Sequence, residues 1–275
     1  MNPVLSGKEI NMEKEAVRVV ELASSEGIII RIIGGLAVYL HSLHSSNSME
    51  IYNKLRKNGS MNHTDIDLVA YSKQRKQIME FFEKELRYIS NRYINSLFGQ
   101  KRLVYWHPSK LFYVDIFFDK LEYSHDIFFG DKPGNGRLEL DFPTVDLASL
   151  VLSKLQIHDI NKKDLIDLLI LMKAHDFCRG GRDRECIDMN SIASVLADDW
   201  GFWFDSMNNL AKLRSYLQEI QRVGIFDSKF FSDVNEKIDI MIDCINNTPK
   251  TKNWEKRSKQ GTEKIWYREV EEVER

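Results

Sequence analysis

The sequence predicts an α+β fold: strands and helices alternate through residue 144, and helices follow almost alone from 145 onward. Three stretches carry that reading. A β-branched run, IIIRIIGG, ends in Gly34-Gly35 and passes into a helical pattern. A second apolar run, HTDIDLV, holds Asp65 and Asp67 two residues apart. A third, KLFYVDIFFDK, encloses a single acid, Asp115. The change of character near 144 divides the chain into residues 1–144 and a helical domain over 145–275 with a charged C-terminal tail.

Taken in order, residues 8–25 read as an amphipathic helix with Val17, Val20 and Leu22 among its apolar positions, stopped by Gly27. IIIRIIGG is a buried strand bounded by glycine. Gly34 and Gly35 allow a tight turn or close backbone approach, and a helix starting there aims its first N–H groups at a phosphate. LAVYLHSLHS is helical in period; His41 and His44 share a face, but no Cys or acid completes a metal set, so both read as half-exposed helix residues. Residues 45–62 are polar and read as a loop with a short helix. His63 is either a strand-start residue or a contact to substrate phosphate. SKQRKQIMEFFEKEL is an amphipathic helix with Ile78, Phe81, Phe82 and Leu86 as its core stripe. Short strands are expected around YINSLF, around RLVYWH and around Asp115, with Asp119 as a turn acid, 130–137 as a turn and RLELDF as a further strand.

From Val145, helices are predicted over 146–158, 161–177, 188–198, 205–222 and 228–246, the first capped by Asp146. The Gly-rich basic loop 178–186 reads as a solvated connection, with phosphate contact as the sharper alternative. WGFWF at 200–204 anchors the helical domain or, less simply, offers a base-stacking platform. The tail sets Lys250, Lys252, Lys256, Arg257 and Lys259 around Trp254, a composition suited either to RNA backbone or to plain solvation.

Composition narrows the classes. A net charge of −2 excludes a uniformly basic nucleic-acid surface, so any such partner must meet a local patch. No apolar run reaches the length of a membrane span, and the N-terminal residues show no secretory pattern. Three cysteines without a CxxC pattern are expected to be reduced thiols in a cytoplasmic protein.

The acids carry the chemistry. Side chains on a strand alternate faces, so Asp65 and Asp67 project together while Ile66 and Leu68 enter the core. Clustered carboxylates repel unless a cation lies between them, and Mg²⁺ is the hard, oxygen-liganded ion that fits. If the Asp115 strand lies beside the first, three carboxylates converge as the protein half of a two-metal site for phosphoryl transfer. In that reading Asp65 and Asp67 bridge two Mg²⁺ ions. Asp115 holds the ion on the acceptor side, and Gly34 and Gly35 shape a triphosphate cradle.

The ordered set of Gly-Gly after a strand, h-D-x-D-h and a later h-h-D-h resembles the nucleotidyltransferase fold of the DNA polymerase β superfamily, a mixed sheet flanked by helices. Within it the chain is most similar to the AbiEii-type toxins of bacterial toxin–antitoxin pairs. The likeness extends through DLASLVLSKLQI and NKKDLIDLLILM, over roughly residues 27–175. It implies that Lys154 contacts the triphosphate and that Asp164 and Asp167 orient Lys154 or the acceptor. The segment SSNSMEIYNKLRKNGSMN departs from the family spacing as an insertion. The resemblance implies transfer of NMP from an NTP to a hydroxyl of RNA, for instance tRNA, or of a protein, with an antitoxin as a possible partner. A nucleotidyltransferase acting on a small molecule, an aminoglycoside or lincosamide antibiotic, shares the same acids. A binding protein on this fold would have little reason to keep all three.

Overall fold

The computed structural model describes residues 11–55, 65–180 and 184–269. The reading of His63, most of the charged end of the tail and part of the 45–62 and 178–186 segments lie outside them. The chain opens with α1 (Met12–Ser25), whose N-cap Asn11 accepts from the Lys14 amide. Its buried stripe is Ala16, Val19, Val20 and Ala23, whereas Leu22 is turned to solvent. Then follow β1 (Ile30–Ile32), α2 (Gly34–Ser42), α3 (Ser46–Leu55), β2 (Asp65–Ala70) and α4 (Arg75–Glu80). The predicted 72–86 helix begins as a 3₁₀ turn and widens into a π turn over Phe81–Glu85. That widening lets the adjacent Phe81 and Phe82 both face inward, where Phe82 stacks on Tyr105 at 5.0 Å.

The sheet is completed by β3 (Ile89–Ser90), β4 (Arg102–Trp106) and β5 (Tyr113–Phe118), with α5 (Arg92–Phe98) between β3 and β4. Its order is β1-β2-β5-β4-β3. The β2/β5 pair is parallel and the others antiparallel, so the sheet is mixed. A small hairpin, β6 (Lys120–Glu122) and β7 (Asp126–Phe128), follows.

Two sequence expectations fail here. YINSLF is helical, not a strand: Asn91 caps the Ile94 amide, and only Ile94 of α5 is buried. Its other apolar residues gave a false strand pattern because they face solvent. RLELDF forms turns rather than a strand. Leu140 N–H closes on Arg137 O, and Asp141 accepts the next amide through its own side chain, a local bond that competes with sheet pairing.

The helical region comprises α6 (Leu147–Leu155) and α7 (Lys162–Ala174). After them come the short strands β8 (Asp176–Cys178) and β9 (Cys186–Asp188). α8 (Met189–Leu196), α9 (Trp200–Val223), α10 (Ser228–Asn247) and α11 (Lys252–Ser258) complete it. α9 begins earlier than its period predicts, because Asp199 caps the Phe202 amide. Trp200 and Phe202 are thereby buried in its first turn, the anchoring role rather than a stacking platform. β8 and β9 were not foreseen. They pair in parallel and bring Cys178 and Cys186 to a Cα–Cα distance of 5.9 Å, where they form a disulfide. The expectation of three reduced thiols is therefore corrected for these two, and Cys244 is free.

One hydrophobic cluster runs from Ala16 to Ile245, on both sides of residue 144. α2 and α3 pack on α7, and the Val145 amide bonds the Ile32 carbonyl beside β1. α6 lies at the centre of this packing, with every residue from Leu147 to Leu155 buried. No helix among the described residues is long and apolar enough to cross a membrane.

Candidate active site

The site grows from the register of two parallel strands. In β2, Ile66 and Leu68 are buried, so Asp65 and Asp67 take the opposite face. The β2/β5 ladder sets Asp67 opposite Asp115 and Asp65 opposite Tyr113. One carboxylate oxygen from each of Asp65, Asp67 and Asp115 lies within 4.8 Å of the others. The juxtaposition expected from sequence is therefore present, on the middle strands of the sheet.

Asp115 is fully buried and meets Arg102 of β4: Nη2 lies 2.7 Å from Oδ2 and Nε 3.3 Å from Oδ1. Arg102 was missed by sequence reasoning. It stands at a strand start, and nothing local marks it; only the β4/β5 register, Val104 opposite Asp115, reveals it as a diagonal neighbour. The guanidinium also lies over the Phe117 ring at 5.1 Å. A planar two-pronged donor fixes the carboxylate's orientation as a lysine would not.

The glycine turn abuts the acids. The Ile33 amide bonds the Asp67 carbonyl at 3.0 Å, tying the end of β1 to β2. Gly34 takes φ +76°, and a Cβ there would stand 3.0 Å from Asp67 Oδ2. Both the backbone conformation and the close approach demand glycine. α2 begins at this point, and its N-cap, Ile33, supplies no side-chain cap. The first-turn N–H groups thus face the site without a capping side chain over them.

A cavity of about 250 Å³ opens between these elements. Ile33, Gly34, Gly35 and Asp67 line one side; Tyr123, Ser153, Lys154 and Asp164 line another. Lys154 sits on the wholly buried α6, so its ammonium must find charge inside the protein. It does: Nζ lies 2.8 Å from Asp164 and 2.8 Å from Asp167, three residues apart on α7. Burial pushes the Lys154 ammonium toward deprotonation, but the charges and hydrogen bonds of Asp167 and Asp164 outweigh it and hold its pKa above the ordinary lysine range. Asp167 lies behind Lys154, outside the cavity lining, and holds it. Tyr123 reports the acids from the other side. Burial, followed by the negative charge of Asp67 with Asp115 and Asp65, raises its phenol well above the usual range.

Other candidates fall away from this centre. Arg31 is buried with its guanidinium donating to the Asp141 and Ile30 carbonyls, against the Phe142 ring. His41 bonds Thr144 and Val145 and meets the His175 ring edge-on, while His44 is exposed. Asp119 is a turn residue at φ +65° that accepts from the Ser72 amide. In the tail, Lys250 is bonded to the Ile245 and Thr248 carbonyls, Arg257 to those of Gly261 and Lys264, and Trp254 packs on Trp203. The Lys250 and Arg257 bonds are local to the tail, the Trp254–Trp203 contact packs it on α9, and Lys252, Lys256 and Lys259 are exposed.

No protein-family model matches the chain, and no curated protein or solved structure does so either.

Proposed function

We propose that the protein is a metal-dependent nucleotidyltransferase that moves NMP from an NTP to an acceptor hydroxyl. The observation that carries this reading is the convergence of three carboxylates, within 4.8 Å, against a glycine turn that opens a helix. Hard divalent ions such as Mg²⁺ suit an all-carboxylate set. Asp65, Asp67 and Asp115 would hold them, and such ions supply Lewis-acid stabilisation of charge developing on phosphoryl oxygens.

The remaining roles belong to the chain. The first turn of α2 and its two glycines offer N–H groups to the anionic phosphates. Lys154, fixed by Asp164 and Asp167, sets a positive charge in the same cavity. Arg102 fixes Asp115, whose carboxylate stands ready to accept the proton of the acceptor hydroxyl. As the acceptor oxygen bonds the α-phosphorus, the bond to the β-phosphate bridging oxygen breaks and pyrophosphate leaves in line. Positioning and fixed charge then account for most of the acceleration.

The test is direct. The protein is incubated with Mg²⁺, each labelled NTP in turn, and either total tRNA or a panel of antibiotics. Label transferred to an acceptor, and lost in Asp67→Ala protein that still folds, is the expected result. Transfer undiminished in that variant would remove the carboxylates from the mechanism.

A further inference from the structure

We infer that Tyr123 is a binding residue of the same site, its phenol hydroxyl donating to a phosphate oxygen of the NTP. This rests on the nucleotidyl-transfer reading and assigns a contact to its donor substrate. The first observation is an idle hydroxyl. Two other buried tyrosines turn theirs to carboxylates, Tyr71 to Glu139 and Tyr88 to Glu15. Tyr123 feels the charge of Asp67, Asp115 and Asp65, yet its hydroxyl bonds no atom among the described residues and is not sealed from the cavity it lines. Its ring meets Phe117, another wall residue, edge-on at 5.9 Å. Burial, followed by the neighbouring carboxylates, keeps the phenol protonated, so it offers a hydrogen throughout the neutral range. A donor left open beside candidate metal ligands suits an anion that arrives with the substrate.

The second observation is the turn that carries it. Arg268 Nε donates to the Tyr123 carbonyl at 3.0 Å, and the Arg268 amide donates to the Ser124 carbonyl. The His158 amide donates to Ser124 Oγ at 3.2 Å, and the His125 amide to Gln156 Oε1 at 3.3 Å. Bonds from the tail and from the end of α6 thus fix three consecutive residues. A side chain on so firm a base loses little freedom when it binds. Charge explains why the donor is neutral. Lys154 shares its charge with Asp164 and Asp167, and Arg102 is engaged by Asp115. A further lysine or arginine at 123 would be drawn onto the acids and would compete with the metal ions. A phenol adds a hydrogen bond without that competition. Beside Lys154, the chain then meets the triphosphate with the N–H groups of α2 and one O–H, leaving the remaining positive charge to the ions.

The experiment separates the contact from the chemistry. The full chain, in excess Mg²⁺, is titrated by calorimetry with α,β-methylene analogues of ATP and UTP, which bind without transfer, and with inorganic triphosphate. Tyr123→Phe keeps the ring and removes one oxygen. It is expected to weaken all three ligands alike, by roughly tenfold or more. In transfer assays KM for the NTP should rise to match, with kcat nearly kept. Stabilisation by Mg²⁺ alone, read in thermal unfolding, should not change. Arg268→Ala frees the Tyr123 carbonyl without altering the cavity lining and should weaken binding by a smaller factor. Tyr93→Phe, at an exposed tyrosine of α5, should change nothing. Weakened nucleotide binding with inorganic triphosphate unaffected would move the contact to sugar or base and overturns the inference. Loss of the Mg²⁺ effect in Tyr123→Phe would make the phenol a partner of the ions and also overturns it. Unaltered binding and KM, with transfer real, overturn the inference and leave the enzymatic reading intact. The expected losses in a protein that transfers label to no acceptor support the contact and overturn the enzymatic reading. Failure of wild-type protein to bind any triphosphate overturns both.

Discussion

Two buried centres in this protein handle carboxylates in opposite ways. At Asp205, one carboxylate gathers many donors. His125 Nε2 lies 2.8 Å from it, His158 Nδ1 3.0 Å, and Trp266 Nε1 donates at 3.0 Å. A carboxylate only accepts, so each of these ring nitrogens must carry its proton toward Asp205. On the sheet, by contrast, three carboxylates gather around one point. The first arrangement is what burial of an ionised side chain requires for stability. The second concentrates like charge, which folding alone disfavours and which a cation relieves. Donor convergence suits a structural acid, and acid convergence, here tempered at Asp115 by Arg102, suits the proposed cation site.

The contrast can be broken by exchanging losses. Asp67→Ala is expected to lower transfer by about a thousandfold or more, equivalent to about 4 kcal/mol of transition-state stabilisation. Its urea midpoint should hold or rise, since a repulsion has been removed. Asp205→Ala should do the reverse. It leaves three donors facing a void and is expected to cost about 3 kcal/mol in urea unfolding, with activity per folded molecule retained. A destabilised Asp67→Ala with normal turnover would invert the assignment of the two centres.

Smaller effects sharpen the same contrast. Mg²⁺ at a hundredfold excess over its dissociation constant should stabilise the wild type by about 2.7 kcal/mol in thermal unfolding. EDTA should reverse the gain, Asp67→Ala should abolish it and Asp205→Asn should keep it. Gly34→Ala is expected to cost roughly 1–2 kcal/mol, because its φ is positive and its methyl would press on Asp67. That cost should shrink in an Asp67→Ala background, where the carboxylate is gone, and a double-mutant cycle reads the difference.

The last prediction concerns acid. Burial raises the Asp205 carboxyl, but hydrogen bonds from His125, Trp266 and His158 outweigh it and hold the group below the usual carboxylate range. A depressed folded pKa gives stability that is complete above the unfolded value of about 3.9 and is lost as pH falls through the folded value. Wild-type stability should therefore drop more steeply below about pH 4 than that of Asp205→Asn. Equal slopes would show that Asp205 contributes nothing by its charge.

How much of this was legible beforehand follows from range. Asp65, Asp67 and Asp115 were readable because strand alternation and an acid in an apolar run are local signals. Their meeting depended on one strand pairing, which the pattern suggested and the register supplies. Arg102 was invisible, since its partner is thirteen residues away across a ladder. α5 misled because its apolar residues face outward and a single asparagine cap sets its start. The Asp205 centre could not be read at all: its members come from a hairpin turn, the loop between α6 and α7, helix α9 and the tail. Of the cations around Trp254, whose composition suited either RNA backbone or plain solvation, Lys250 and Arg257 bond main-chain carbonyls, while Lys252, Lys256 and Lys259 are exposed.

That same tail reaches further than Trp254. Tyr267 stacks on His158 at 3.5 Å, and Arg268 bonds the Tyr123 carbonyl, the Ser124 carbonyl and Asp126. Tyr123 is a wall of the cavity, so the wall is fastened by a residue that the ribosome adds long after it. The wall on this side of the pocket is therefore braced only once residues 266–268 have emerged and docked.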